Sequence, residues 1–440
     1  MFREIDDYLQ GWLTRRNRKP LILRGARQVG KTWAVRELAR SQGLKLIEIN
    51  FELQPALKAA FATPDPAQIL KYLGTYGVQL PQPGKSLLVF DEIQECPQAI
   101  VSLRYFYELM PDQAVIATGS LLEFTLMRER VSWPVGRVEF AWMYPMSFSE
   151  YVRAKGNPGL AEALKENPLK SDSLSGVHSF ALGELREYLF CGGMPKAVLA
   201  MTQDKDPAAV RREHLEILHS YRLDFHKYAP RIDADLAEKM FLKAPSLVGG
   251  RFKYSHIDPD RTTKEIKPAV EALEKAGIIR LVIHTAAQGL PLAVDTNPRI
   301  CKLLFLDVGL MHASQGIDNQ LVQEPSLLAI HRGAVAEQFV GQELLATAPA
   351  DREPELWFWS REAAASQSEI DYIITRGSKV LPIEVKAGAS GRLKSMRIFL
   401  DSHGNSPKGV RFYDGKPWDE EGRIEHLPLY SVGSLRNQLS

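Results

Sequence analysis

Eight residues constrain this chain more than any others. Gly25-Ala26-Arg27-Gln28-Val29-Gly30-Lys31-Thr32 follows the apolar run Leu21-Ile22-Leu23 and precedes a helical stretch, Trp33 to Arg40. A strand that turns through a glycine-bracketed loop into a helix N-terminus aims backbone N–H groups at an anion, the arrangement needed to cradle phosphates. Lys31 is placed to reach the β- and γ-phosphates of a nucleotide and Thr32 to bind Mg²⁺. All eight residues are expected nucleotide contacts.

A loop of this kind belongs at the carboxyl edge of a parallel sheet, so its surroundings should alternate buried strands with amphipathic helices. The runs Leu21-Ile22-Leu23, Leu46-Ile47-Glu48-Ile49, Leu87-Leu88-Val89-Phe90 and Ala114-Val115-Ile116-Ala117 fit that pattern and predict one α/β domain over residues 1–155. The third run ends in Asp91-Glu92, which resembles a Walker B element. Asp91 is expected to hold Mg²⁺ through its water shell and Glu92 to orient the attacking water. After the fourth run, a hydroxyl from Thr118 or Ser120 is a candidate γ-phosphate sensor.

These segments, with Gly136-Arg137 and Tyr144-Pro145-Met146-Ser147-Phe148-Ser149-Glu150-Tyr151, resemble the AAA-type ATPase head of a widespread prokaryotic family with a C-terminal domain of unknown function. The resemblance extends through Gly192-Gly193-Met194-Pro195, Tyr221-Arg222-Leu223-Asp224 and Leu304-Phe305-Leu306-Asp307-Val308-Gly309-Leu310. It implies a P-loop ATPase of a superfamily that commonly assembles into rings and uses an arginine near the γ-phosphate. Arg137 is the candidate for that catalytic arginine, acting within its own subunit or on a neighbour. Arg128 and Arg130 are the alternatives, and a surface salt bridge is the competing role for Arg137.

Further along, glycines, prolines and serines between Lys155 and Ser179 predict a linker over 156–180. A helical lid is expected over 181–228, broken at Cys191-Gly192-Gly193-Met194-Pro195. Over 229–325, Leu236 to Val248, Thr263 to Gly277 and Ile278 to His284 read as helix, helix, glycine stop and strand, the order of a winged helix. Arg251, Lys253, Arg261, Lys264 and Lys267 could neutralise a DNA backbone there. Glu265, Glu271 and Glu274 interleave with them, so an ordinary solvated helix face is the competing reading.

The last section, 326–440, reads as a second α/β domain. Glu369-Ile370-Asp371-Tyr372-Ile373-Ile374 and Leu381-Pro382-Ile383-Glu384-Val385-Lys386 look like two strands joined at Arg376-Gly377-Ser378. Asp371, Glu384 and Lys386 on one sheet edge resemble the restriction-endonuclease-like PD-(D/E)xK core, in which two carboxylates hold Mg²⁺ and the lysine activates water. Glu337, on a helix from Gly333 to Leu344, is the expected additional metal ligand. Arg392, Lys394 and Arg397 could track phosphates. The pattern also suits a docking module that keeps the nuclease fold without cutting.

Two functional readings follow. The first is a Mg²⁺-dependent ATPase that couples ATP hydrolysis to DNA engagement by the winged helix and nuclease-like tail. The second is a nucleotide-gated scaffold whose tail docks a protein or DNA partner without cleaving. Expected partners are ATP or ADP, DNA, protein clients and further copies of the chain.

Composition sets the outer bounds. Among 440 residues, 45% are hydrophobic and 25% charged, and a formal net charge of +2 leaves no uniform field that would itself demand nucleic acid. Any basic surface must be local, and the run Arg15, Arg16, Arg18 and Lys19 reads as the approach to the nucleotide site. Cys96, Cys191 and Cys301 form no CxxC, and His226, His256, His284 and His331 show no metal-ligand spacing. No apolar run approaches the ~20 residues of a spanning helix, and a cytoplasmic location is expected.

Overall fold

The computed structural model describes residues 1–119, 134–166, 175–228, 233–316, 332–363, 366–386, 393–420 and 422–438. Ser120, Arg128, Arg130, His331 and Arg392 lie outside the described residues. The chain divides into two compact units, Met1–Tyr144 with Pro349–Glu353, and Pro145–Ala348 with Pro354–Ser440.

In the first unit, β1 (Leu21–Arg24), β2 (Lys45–Asn50), β3 (Ser86–Asp91), β4 (Ala114–Thr118) and β5 (Glu139–Trp142) form a sheet of order β2-β3-β4-β1-β5. Every pairing is parallel. All residues of β3 and β4 are buried, as expected where helices cover both faces of a parallel sheet. Among the described residues, four α-helices accompany the strands: α1 (Ile5–Thr14), α2 (Lys31–Ser41), α3 (Pro66–Thr75) and α4 (Pro97–Leu109). Phe51, Phe61, Phe90 and Phe106 meet edge-on or tilted, with centroids 5.1–6.0 Å apart, and anchor one layer of the core. The four strand segments read from sequence all enter this sheet; β5 joins them at its edge.

Because β5 runs parallel to β1 with Glu139 opposite Leu21, Arg137 and Val138 just before it lie at the amino edge of the sheet. The phosphate loop leaves the other end of β1. Arg137 is therefore separated from the loop of its own chain by at least the length of β1, roughly 10 Å at ~3.3 Å per residue. Arg15, Arg16, Arg18 and Lys19 lead into the amino end of β1 as well, and Arg15 pairs with Glu139 at 2.7 Å. That basic run is on the wrong edge to approach a nucleotide.

The second unit opens with α5 (Phe148–Ala154), started by a capping box between Ser147 and Glu150. Phe148 and Tyr151 pack on Tyr188, and Phe148 and Tyr188 pack on Phe339. This aromatic cluster draws residues 145–155 into the second unit, so the first ends earlier than the expected 155. The stretch expected as a linker carries α6 (Pro158–Glu166) and the start of α7 (Ser175–Cys191). After α7 the chain breaks at Gly192, as its glycines and Pro195 predict, and continues as α8 (Pro195–Leu199), α9 (Pro207–Tyr228), α10 (Ala234–Lys243) and α11 (Thr263–Lys275).

The glycine stop at Gly277 (φ +72°) leads into β6 (Ile279–Thr285), which pairs antiparallel with β7 (Thr296–Phe305). β6 is the strand expected to finish a winged helix. The two strands instead extend a mixed sheet, because β6 pairs parallel with β8 (Trp357–Ala363). The expected boundary at 325/326 thus divides one continuous sheet. After β7 come α12 (Val308–Gln315) and α13 (Arg332–Ala346), and the sheet continues with β9 (Ser366–Arg376), β10 (Lys379–Val385), α14 (Lys394–Ser402), β11 (Gly409–Tyr413), β12 (Trp418–Glu420) and β13 (Ile424–Pro428). The order of the sheet is β12-β13-β11-β10-β9-β8-β6-β7, in which β8, β9 and β10 are antiparallel neighbours, while β10 and β11 run parallel. Trp359, Ile370, Ile373, Met396 and Phe399 form the core between this sheet and α14.

Two segments that carry the family resemblance meet in this unit. Asp307 caps α12, accepting from Leu310 N at 3.0 Å, and also accepts from Gly193 N at 2.7 Å and Gln342 Nε2 at 3.1 Å. A Cβ on Gly193 would fall 2.2 Å from the Met146 carbonyl oxygen, so the close approach requires glycine. Their role is to join helices. Among the described residues, no helix is long and apolar enough to cross a membrane, and Cys96, Cys191 and Cys301 are buried free thiols.

Candidate functional site

The phosphate loop is held in shape from several sides. Gly25 has φ +146°, and a Cβ there would sit 2.1 Å from the Met143 carbonyl oxygen, so only glycine lets the loop pass β5 this closely. Gly30 at φ +99° turns the chain into α2, whose first residues are Lys31 and Thr32. Gln28 also adopts a left-handed conformation, at φ +64°. Arg3 fastens the loop from outside it: Nη1 donates to the Val29 carbonyl at 2.7 Å and Nη2 to the Tyr144 carbonyl at 2.8 Å. Sequence reading missed Arg3, which acts from 22 residues before Gly25 and belongs to no local motif.

Lys31 lies buried over this loop, with Nζ donating to the Gly25 carbonyl at 2.9 Å and the Ala26 carbonyl at 2.7 Å. Burial lowers its pKa to about 8, against the opposing pull of the Glu92 and Asp91 carboxylates. The ammonium is thus held where a phosphate would restore the charge that burial disfavours.

Strand order brings the remaining groups to the same edge. β4 lies between β1 and β3, with Thr118 opposite Leu23 and Ala117 opposite Phe90, and Asn50 pairs with Asp91 across β2 and β3. Asp91, 6% exposed, gathers three donors: Thr32 Oγ1 at 3.3 Å, Asn50 Nδ2 at 2.9 Å and the Thr118 hydroxyl. Of the two sensor candidates, Thr118 therefore supports Asp91, and Ser120 lies outside the described residues. Asn50 was not singled out from the sequence; its signal is its position at the end of the strand Leu46 to Ile49.

Glu92 follows with φ +51°, a left-handed backbone that a non-glycine residue rarely adopts and that is often found at functional sites. Gln94 Nε2 donates to Glu92 Oε2 at 2.5 Å, giving the carboxylate a fixed direction. The edge therefore unites Lys31, Thr32, Asp91, Glu92 and Thr118. Arg137 does not join them; its Nε pairs with Glu108 at 3.1 Å, and both side chains are substantially exposed.

A second group of charges lies on the mixed sheet. Asp371 Oδ2 accepts from Val385 N at 2.8 Å, which places Asp371 beside Glu384 across β9 and β10. Glu384 is buried, with one oxygen 2.8 Å from Lys386 Nζ and the other without a hydrogen-bond partner. Burial raises its pKa, and the Lys386 ammonium opposes the rise.

Glu337 reaches the cluster from α13, as expected, but meets an ammonium. Lys302 Nζ, from β7, lies 2.9 Å from Glu337, 2.7 Å from Glu369 and 3.1 Å from Asp371. Arg251 pairs with Glu369 on its other side at 3.3 Å. The expected ligand set of Glu337, Asp371 and Glu384 is corrected accordingly: among the described residues, no group of three or more His, Cys, Asp or Glu side chains is placed to hold a metal ion. Sequence reading missed Lys302, whose signal is one lysine within the apolar stretch Ile300 to Phe305.

Three family models match successive parts of the chain: AAA domain over residues 17–152, Domain of unknown function (DUF8612) over 182–321 and Domain of unknown function (DUF4143) over 332–431. Similar solved structures include the Walker-type ATPase paby2304 of Pyrococcus abyssi, with 17% identity, TM-score 0.44, 71% of this chain and 95% of that chain covered. The Aeropyrum pernix ORC2 protein, solved as ADPNP-ADP complexes, has 14% identity and TM-score 0.39 over 73% of this chain and 96% of its own. AMPPCP-bound DnaA from Aquifex aeolicus has 12% identity and TM-score 0.23 over 62% and 89%. No curated protein matches the chain. Residues 17–152 are thus matched as an AAA domain, and the first unit, which holds them as far as Tyr144, is a parallel-sheet P-loop NTPase fold.

Proposed function

We propose that this protein binds ATP with Mg²⁺ and hydrolyses it at the carboxyl edge of the first sheet. The observation that carries the reading is the convergence of a buried lysine, a hydroxyl and two consecutive acidic residues beside a loop that opens a helix. Thr32 and Asp91, 3.3 Å apart, would hold Mg²⁺, which when bound neutralises phosphate charge. Lys31 binds the β- and γ-phosphates, and backbone N–H groups of residues 25–32 surround them. Glu92, aimed by Gln94, orients the attacking water and accepts its proton. Mg²⁺-dependent release of phosphate from ATP tests the assignment; the intact full-length chain showing no release would refute it.

The lowered pKa of Lys31 adds a signature that does not depend on turnover. At pH 9 the lysine is largely neutral before nucleotide arrives, and bound phosphates raise its pKa again. ATP binding should therefore take up close to one proton at pH 9 and almost none at pH 6.5. Affinity should fall by up to about tenfold per pH unit above 8. Calorimetric titration in buffers of different ionisation enthalpy measures the uptake directly.

We infer a second role for the remainder of the chain, engagement of DNA by the mixed-sheet unit. Two features support it: the strand order of β8, β9, β10 and β11 with α13 before β8 and α14 between β10 and β11 in sequence, and basic side chains around α11. Of these, Arg261 and Lys267 pair with Glu265 and Glu271 along the helix, so a large salt dependence is not expected from them alone. Fluorescence anisotropy with labelled duplex, over a salt series and with or without a nonhydrolysable ATP analogue, should show affinity that falls with salt and changes with nucleotide. Affinity independent of both would leave a protein-only partner as the better reading.

A further inference from the structure

We propose that Lys302 takes, as a fixed ammonium, the place of a divalent cation in the carboxylate cluster of the mixed sheet, which therefore engages its partner without a resident metal and without cutting phosphodiesters. The inference rests on reading that sheet as nuclease-like.

The geometry is that of an occupied cation site. One nitrogen lies within 2.7–3.1 Å of oxygens from three different carboxylates, Glu337, Glu369 and Asp371. An ammonium has three protons, so all its donors are satisfied. A Mg²⁺ ion would need about six oxygens at ~2.0–2.1 Å, which the same carboxylates cannot supply while the lysine stands between them. The side chain is 3% exposed and its ammonium lies 5.6 Å from the centre of the buried Phe358 ring, so it is walled in.

Charge balance points the same way. Four carboxylates, Glu337, Glu369, Asp371 and Glu384, face four cations, Lys302, Lys386, Arg251 and Arg411, and no negative charge is left over. A divalent ion added to that set would overcompensate it and crowd two ammonium groups. The hydrogen-bonding capacity is also committed: Asp371 uses one oxygen for Lys302 and the other for Val385 N. Glu384 Oε2 is buried without a hydrogen-bond partner, and a single such oxygen does not build a six-coordinate site. Lys302 also ties β7 to α13 and β9, so the cation performs the cross-linking that a metal ion would.

The test is Mn²⁺ titration of the full-length, nucleotide-free chain, followed by electron paramagnetic resonance, with cleavage and DNA binding read in parallel. Wild type and Asp371→Asn should bind Mn²⁺ indistinguishably, and neither should nick duplex or single-stranded DNA. Lys302→Met should raise Mn²⁺ affinity by about tenfold or more by freeing three carboxylates, a gain that Asp371→Asn abolishes. A saturable Mn²⁺ site in wild type lost in Asp371→Asn, Mn²⁺-dependent cleavage lost in that variant, or a folded Lys302→Met that gains no Mn²⁺ would overturn the proposal. Where Lys302→Met fails to fold, the comparison of wild type with Asp371→Asn decides alone. Failure of the underlying DNA reading would appear separately, as loss of salt-dependent anisotropy with Mn²⁺ binding unchanged.

Discussion

Lys31→Ala is expected to weaken ATP binding by about a hundredfold or more, corresponding to ~3 kcal/mol, the usual cost of truncating one partner of a buried charge pair. The large figure follows from burial. Lys31 is 9% exposed and its ammonium lies among loop carbonyls, where water cannot replace it. The fold should survive, because the lysine's own contacts are to carbonyls of the loop and burial already disfavours its charge. Equilibrium binding of a fluorescent ATP analogue, with thermal unfolding as a control, checks both halves. Affinity within threefold of wild type, with the fold intact, would remove Lys31 from the phosphate site. Lys31→Arg should not rescue it, since a planar guanidinium is not shaped for the space of a compact ammonium.

What could be read from the sequence was what is local in it. The loop from Gly25 to Thr32, the Asp91-Glu92 pair and the four apolar runs are contiguous, and each obeys a spacing that backbone geometry imposes. The groups that support them are not contiguous. Asn50 reaches Asp91 only through the register of β2 on β3, and Arg3 reaches Val29 from the segment just before α1. The alternatives for Arg137 stayed open for a related reason. Its role depends on which way β5 runs, and Glu139-Phe140-Ala141-Trp142 is too short to announce a strand at all. Once β5 is parallel to β1, Arg137 lies at the amino edge beside Glu108, so any catalytic use would have to be on a neighbouring copy.

The carboxyl-terminal half repeats the lesson. Asp371, Glu384, Lys386 and Glu337 were legible as a pattern, and the structure does bring Asp371, Glu337 and the Glu384–Lys386 pair into one neighbourhood. The residue that changes their chemistry comes from β7, 35 residues before Glu337 and 69 before Asp371. A lysine inside an apolar strand is a warning, since its charge must be paired where it is buried. Sequence alone does not name the partner.

Glu92→Gln is expected to slow ATP hydrolysis by about 10²–10⁴-fold while leaving ATP affinity within a few-fold of wild type. The substitution keeps the size of the side chain and an oxygen able to accept the hydrogen bond from Gln94, so the loop need not move. What it removes is the negative charge that attracts and deprotonates water. Affinity should hold because Lys31, Thr32 and Asp91 are untouched, and it should rise slightly, since one negative charge fewer faces the triphosphate. Phosphate release and equilibrium nucleotide binding, measured on the same preparation, separate this loss from that of Lys31→Ala. Gln94→Ala provides the complementary case: the Glu92 charge stays but its direction is lost, so a smaller fall in turnover, with a normal pH profile, is the expected pattern. If Glu92→Gln turns over at the wild-type rate, the attacking water is activated by some other group, and the left-handed backbone at Glu92 has only a structural role.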